Sequence, residues 1–372
     1  FGSSIGSREL TRLGDELRAA TLGLGQPELQ RRLDDMAQAV RELRAEAPRD
    51  EGRYELSALR EALHLPLVTL VAAMKTLLEG LETVDDGSAE LEKLHERLWN
   101  ATERLQHLND DESWEGLRWL DVGKRNVRLH LTPLDVSARL GGLFGTGTQA
   151  WVFTSATLAV GEDFGHFTNR TGLGEARCLA FPSPYALAEN ALIWLPPGLP
   201  NPSDRGHTDA VMESVAPLLE YTTGGMFCLF TSHRALNAAR RWCRANRRAL
   251  RGRRLLVQGD GPRDDLLRRF RDSGSAVLLG TGTFWEGVDV RGPALTVVAI
   301  DKLPFASPAD PLMMARLEYI RRSGGNGFTE HQLPQAALAL KQGAGRLLRD
   351  DSDYGVIVLC DPRIASKSYG RL

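Results

Sequence analysis

SAVLLGTGTFWEGVDVRGPALTVVAID, residues 275–301, sets two apolar runs on either side of a turn rich in glycine and threonine. Each run is short, aliphatic and bounded by small or polar residues, which is how a buried strand reads. Between them Glu286 and Asp289 stand among glycines, hydroxyls and the bulky Phe284–Trp285 pair, at the mouth of a strand. AWVFTSATL, GGMFCLFTS, RRLLVQGD and YGVIVLCD have the same texture. Helical segments alternate with these runs: HRALNAARRWCRA, PRDDLLRRFRDS, PADPLMMARLEYIRR and LPQAALALKQGAGRLLR. Strands alternating with helices predict right-handed crossovers and an α/β fold with a parallel sheet covered on both faces. Ligands of such sheets bind beyond the carboxyl ends of the strands. Those ends carry Thr231 and Ser232, Gln258, the stretch from Thr281 to Asp289, Lys302 to Phe305, and Asp361 to Arg363.

Upstream the period changes. Leu29, Leu33, Met36, Val40 and Leu43 form one stripe; Leu67, Leu70, Met74, Leu77, Leu78 and Leu81 a second; Leu91, Leu94, Leu98, Leu105 and Leu108 a third. Spacings of three and four residues belong to amphipathic helices. Breaks at Gly23 to Pro27, Ala47 to Gly52 and Asp85 to Ser88 predict a helical bundle or hairpin over residues 7–108. Residues 182–204, PSPYALAENALIWLPPGLPNPSD, read as the most linker-like segment.

The 372 residues, 42% hydrophobic and 25% charged, are of ordinary globular composition and long enough for two or three domains. No apolar run approaches about 18 residues, since His64 and Pro66 interrupt LHLPLVTLVAA, and no secretion signal opens the sequence. A soluble, cytoplasmic chain with no membrane association is expected. Cys178, Cys228, Cys243 and Cys360 match neither a metal-ligand spacing nor a disulfide framework, and read as reduced thiols. The net charge of −2 hides a division: residues 1–112 carry 14 Lys+Arg against 23 Asp+Glu, and the remainder 32 against 25. The second part can face a polyanion that the first would repel. Nine arginines lie from Arg234 to Arg254, as either a solvated helix face or a surface for phosphates.

Three groups of residues carry chemistry. On a continuous helix, Gln342, Arg346 and Arg349 of KQGAGRLLR would share one face, past the small residues Gly343, Ala344 and Gly345. An amide and two guanidinium forks suit a triphosphate, and salt-bridged surface arginines are the plain alternative. VFTSATL puts Thr154, Ser155 and Thr157 at a strand end, and LFTSH does the same with Thr231 and Ser232. Such hydroxyls relay hydrogen bonds, hold phosphates or cap the next helix. Glu286 and Asp289 fit a ligand-binding turn, an acid–base pair, or a turn capped by Asp289 with Trp285 packed on the sheet.

The order of TSATL, LFTSH, GTGTFWEGVDVRG, KLPFASPADP and QGAGRLLRDDSDYGVIVLCDPR resembles motifs III to VI of superfamily 2 helicases, specifically the DinG/YoaA type of XPD-like DNA helicase. FWEGVD, LPF-x-SP-x-DP and QGAGRL-x-R carry the likeness, which runs over residues 114–372. The opening FGSSIGSREL resembles the stretch just after the DEAH box in these proteins, and residues 11–112 stand where an arch is inserted in the first motor domain. The resemblance implies a helical arch-like domain at 1–112, the tail of a first RecA-like lobe with motif III at 113–180, and a second RecA-like lobe with motifs IV to VI at 181–372.

By the same resemblance Arg346, Arg349 and Gln342 act at the nucleotide, and Glu286, Gly287 and Asp289 help to bind it. Thr231, Ser232, Thr281 and Thr283 face the nucleic acid, and Ser155 and Thr157 couple the two sites. The sequence holds no GxxxxGK[ST] loop and no DEAH box, and DDES at 110–113 lacks that context. A fragment is therefore expected, unable to hydrolyse ATP by itself, with the phosphate-loop side of the ATP–Mg site and any iron–sulfur cysteines upstream. No metal ligands are expected in these residues. The implied function is ATP-dependent unwinding with 5′→3′ polarity on single-stranded or forked DNA in repair or replication. A binding module for a replisome partner, such as the clamp-loader chi subunit, is the alternative. A metabolic α/β enzyme is a third reading, against which stands the lack of a glycine-rich dinucleotide fingerprint.

Overall fold

The computed structural model describes residues 2–84, 88–109, 116–145, 149–183, 185–284, 290 and 292–371, with the side chains of Thr283 and Arg371 left aside. The chain forms two compact units, Phe1–Leu143 with Ser307–Gly325, and Phe144–Ala306 with Asn326–Leu372.

The first unit begins with β1 (Ser3–Gly6), α1 (Ser7–Thr21), α2 (Pro27–Glu46) and β2 (Gly52–Glu55). It continues through α3 (Arg60–Glu82), α4 (Ala89–Asn109), β3 (Gly116–Gly123), β4 (Asn126–Pro133) and α5 (Ser137–Gly145), which reaches the boundary. The three leucine stripes are the bundle core, and Leu10, Leu13 and Leu17 of α1 join them. Gly25 takes a left-handed conformation (φ 63°) where the preceding 3-10 turn, Leu22–Leu24, ends, and Pro27 opens α2. α3, with the residues just before it from Ser57, is long and apolar enough to cross a membrane by length and composition, more so than the sequence reading allowed. Its Leu63, Leu67, Leu70, Met74 and Leu77 are buried in the bundle.

An antiparallel sheet of order β1-β4-β3-β2 closes this unit and contributes Ile5, Leu120, Leu129 and Leu131 to the same core. Sequence reading did not anticipate it. GLRWLDVG and NVRLHLTP interleave apolar residues with Arg118, Asp121, Arg128 and His130, the mark of a half-buried strand rather than of a continuous apolar run.

The second unit contains α6 (Gly165–Thr171), α7 (Leu187–Asn190), β5 (Ala191–Trp194), α8 (His207–Val215), α9 (Leu218–Tyr221) and β6 (Gly225–Leu229). Next come α10 (His233–Ala245), β7 (Leu255–Val257), α11 (Arg263–Ser273), β8 (Val277–Gly280) and β9 (Leu295–Ile300). The chain then makes α12 (Pro311–Arg322), and finally α13 (Leu333–Ala344), β10 (Gly355–Leu359) and α14 (Arg363–Ser366). Six strands form one sheet of order β5-β10-β9-β6-β8-β7, parallel at every pairing. Strands β6, β8 and β9 are buried throughout, between one core with Val211, Leu236 and Cys243 and another with Leu266, Phe270 and Leu347. The predicted parallel α/β sheet is present.

Three expectations need correction. Trp151 to Ala156 form no strand, and Trp151, Val152 and Phe153 are exposed. A strand must satisfy its backbone groups on a neighbour, and among the described residues none pairs with this run. The linker-like segment 182–204 contains α7 and the edge strand β5, which pairs with Gly355–Val358. Its prolines flank the strand rather than interrupt it. Helix α12, expected as a crossover of the parallel sheet, belongs to the first unit: it packs on β2 and β3, with Arg53 paired to Asp310 at 2.6 Å. Asp310 also caps α12, accepting from the amides of Leu312 and Met313.

Candidate nucleotide and nucleic-acid site

Polar residues just past the strands of the second unit are tied to one another in local pairs. At the end of β6 the Thr231 amide donates to Asp301 Oδ1 at 3.1 Å. Asp301, the first residue after β9, is 2% exposed, and its Oδ2 has no partner among the described residues. Burial pushes this carboxyl up to about 7, against the opposing pull of the Lys302 charge and the amides of Thr231 and Lys302. Thr231 Oγ1 is likewise buried and without a partner there. Ser232 caps α10, accepting from the Ala235 amide at 3.2 Å. The Ser232 hydroxyl is thus an N-cap.

At the end of β8 the Thr281 amide and hydroxyl both donate to Gln258 Oε1, at 2.6 and 3.0 Å. Thr281 is 6% exposed, so its hydroxyl ties β8 to the end of β7. Thr283 lies in a 3-10 turn, Gly282–Phe284. A Cβ on Gly280 would meet the Phe284 ring at 2.8–3.0 Å, so glycine is what lets that ring fold back onto the strand end. Glu286, Gly287 and Asp289, with Trp285, lie outside the described residues.

Beyond β10, Asp361 is held below the usual carboxylate range: burial pushes it up, but the Arg363 guanidinium and the amides of Leu303 and Arg363 outweigh that. Arg363 engages both of its oxygens, with Nη2 2.6 Å from Oδ2.

Gln342, Arg346 and Arg349 do not share a helical face. Helix α13 stops at Ala344, and the amides of Arg346 and Leu347 close tight turns onto Gly343 and Ala344. The helix yields there because Gly343 and Gly345 weaken it while Leu347 and Leu348 turn into the core. Arg346 is 7% exposed, and Arg349 is half-buried with its amide on Asp353 Oδ2 at 2.7 Å. Gln342 remains on the helix and donates through Nε2 to Thr157 Oγ1 at 3.5 Å. Thr157 in turn lies 3.2 Å from Ser155 Oγ, and its amide donates to the same oxygen at 3.1 Å. The TSAT and QGAGR segments are thus in contact.

Sequence reading gave no role to Asp353. This buried carboxylate collects the amides of Gly292, Arg349 and Asp350 at 2.7–2.9 Å, pinning the end of GVDVRG to the loop after QGAGRLLR. The cluster Asp350–Ser352–Asp353 before an apolar run is the signal that was available, since such residues fold their side chains onto nearby amides. Among the described residues no group of His, Cys, Asp or Glu is placed to hold a metal. The four cysteines are free, three of them buried, and burial raises the Cys243 thiol to about 12.

A parallel sheet with polar side chains and amides just past its strand ends is where an α/β fold of this kind takes a ligand. Residues 215–372 match the family described as Helicase C-terminal domain. The chain is 38% identical over its whole length to the ATP-dependent DNA helicase YoaA of Escherichia coli, of which it spans 58%. It is 36% identical, over 85% of its length, to YoaA of Haemophilus influenzae, of which it spans 48%. Over 71% of its length it is 34% identical to a Bacillus subtilis protein named 3'-5' exonuclease DinG, spanning 29% of it. The fold resembles a solved structure titled Structure of S. tokodaii Xpd4, with TM-score 0.61, 16% identity, and coverage of 98% of this chain and 69% of that one. The chain carries a helicase C-terminal domain and is related to the DinG/YoaA helicases, of which the matched proteins are spanned to 58% or less.

Proposed function

We propose that these residues are the second motor lobe, the tail of the first and the arch-like domain of a helicase that translocates 5′→3′ on single-stranded or forked DNA. The lobes divide at about residue 180 and the arch-like domain ends near 112, as the family resemblance implies. ATP with Mg is held chiefly by a phosphate loop that these residues do not contain, and Arg346 and Arg349 answer it from this side. Arg346 stabilises charge on the transferred phosphoryl group, and Gln342 relays the nucleotide state to Ser155 and Thr157. Thr231, Ser232, Thr281 and Thr283 line the strand path, while Glu286, Gly287 and Asp289 complete the nucleotide side. The setting is cytoplasmic, and any iron–sulfur cluster belongs upstream.

One observation supports this reading most. The segments TSAT, LFTSH, GTGTF and QGAGR, spread between Thr154 and Arg346, lie in one compact unit, with the Gln342–Thr157 contact joining the first to the last. The alternative reading is a binding module for a replisome partner such as the clamp-loader chi subunit, and co-elution of the two tests it. For the motor itself the measurement is DNA-stimulated ATP hydrolysis. The complete protein should show it, and the 372-residue chain alone should not exceed background. Robust hydrolysis by the isolated chain would overturn the placement of the phosphate loop elsewhere.

A further inference from the structure

Phe305, from the LPF segment after β9, packs with two other partly exposed aromatic rings. Phe305, Phe328 and Tyr369 form a closed trio with centroids 5.7, 6.0 and 5.5 Å apart, and Phe328 is 36% exposed. Each ring is fixed from its own backbone. The Phe305 amide closes a three-residue turn onto the Leu303 carbonyl at 2.8 Å, with Pro304 at its centre. Phe328 opens a π-helical turn, and its amide donates to Asn326 Oδ1 at 3.0 Å. Tyr369 lies in a 3-10 turn, Ser368–Arg371, that rests against Ile364 only because residue 370 is glycine: a Cβ there would stand 1.8 Å from the Ile364 carbonyl oxygen.

One paired arginine and two lysines border the rings. The Arg363 guanidinium sits 5.5 Å from the Phe305 centroid and is aimed by the buried Asp361, whose charge it neutralises. Lys302 and exposed Lys367 flank the turns that carry Phe305 and Tyr369. Rings held in advance, partly open to solvent and bordered by cations are what an unpaired base with its phosphate requires. Every base offers a π-face, so such contacts are tolerant of sequence. The position, past the carboxyl ends of adjacent parallel strands, is where ligands of this fold sit.

We infer that Phe305, Phe328 and Tyr369 form a stacking platform for unpaired bases of single-stranded DNA. This rests on the helicase reading, and the experiment separates the two. Binding of a labelled oligothymidylate and of an abasic strand of equal length is measured on the 372-residue chain across a salt series. The wild type should prefer the strand with bases. The Phe328→Ala, Tyr369→Ala double variant should lose about five- to hundredfold for oligothymidylate, with an unchanged salt slope and unchanged affinity for the abasic strand. Phe328→Trp should retain the preference. Equal wild-type affinity for both strands, or equal loss for both in the double variant, overturns the platform while leaving the helicase reading intact. Failure of the wild type to bind either strand at low salt overturns both.

Discussion

The Gln342 amide donates to the Thr157 hydroxyl at 3.5 Å, joining segments 185 residues apart in the sequence. Thr157 is itself braced by Ser155, so a change at Gln342 is passed to the whole TSAT turn. In the complete protein Thr157→Val should slow DNA-stimulated ATP hydrolysis about fivefold to tenfold, the worth of one neutral hydrogen bond. Single-strand affinity should stay within twofold, as about 0.4 kcal/mol. Steady-state ATPase and fluorescence anisotropy read the two, and a fall in both together would mean that the contact is structural.

Arg346 follows the end of α13 and is 7% exposed, so its removal tests catalysis and packing at once. As the residue that meets the transferred phosphoryl group, its truncation to Ala should cost about 10³–10⁵ in hydrolysis rate. Single-strand binding should persist. A variant that unfolds early and loses DNA binding as well would make Arg346 a structural arginine.

Asp301 gives a pH prediction with a definite sign. Its carboxyl is raised to about 7 in the fold, with burial the chief cause, whereas the unfolded chain titrates in the ordinary carboxylate range. Between those values the folded state holds the extra proton, so Asp301's contribution to stability declines as pH rises through the window, and the full penalty is present above pH 7. The rise corresponds to about 4 kcal/mol at most. Asn at 301 can still accept from Thr231 through its carbonyl oxygen and never ionises. Asp301→Asn should therefore raise the thermal midpoint more at pH 8 than at pH 5. A constant difference across that range would show that Asp301 does not titrate there.

Ser232 separates the capping role from the DNA role. Ser232→Asp keeps an N-cap acceptor for α10, so stability should change by less than about 0.5 kcal/mol, whereas Ser232→Ala should cost about 1 kcal/mol. The added carboxylate would repel a phosphate at that strand end. Single-strand affinity at low salt should fall at least tenfold in Ser232→Asp, and an unaltered affinity would remove Ser232 from the strand path.

The parallel half of the fold was legible because β6, β8, β9 and β10 are almost wholly apolar runs, each followed within two residues by a polar one, with helices between them. The small antiparallel sheet was hidden by its interleaved charges, and β5 by the prolines around it. AWVF misled in the other direction: composition marks a strand, but pairing needs a neighbour that composition cannot supply. Thr231, Ser232 and Thr281 lie just past strands, where the apolar runs placed them, whereas Ser155 and Thr157 follow no strand. What residue types could not foretell was the stop of α13 before Arg346, set by two glycines and two core leucines acting together. Nor could Gln258 and Asp353 be picked out, since each acts through a fold-dependent contact with Thr281 or Gly292.

The arginines from Arg234 to Arg254 divide into bound and available. Arg240 pairs with Asp260, Arg251 with Glu220, and Arg253 is committed to the carbonyls of Leu219, Thr222 and Gly224. Arg234, Arg241, Arg244, Arg247, Arg248 and Arg254 are exposed, and no ion pair to them occurs among the described residues. Arg234, Arg241 and Arg244 lie opposite the buried Ala235–Ala239–Cys243 face of α10, so their charges repel one another unless an anion intervenes. If single-stranded DNA is that anion, each lost phosphate contact lowers the slope of log affinity against log salt by about 0.7. Arg241→Ala, Arg244→Ala should thus reduce the slope by about 1.4 and weaken binding most at low salt. An unchanged slope would identify α10 as a solvated face and confine the DNA to the strand ends.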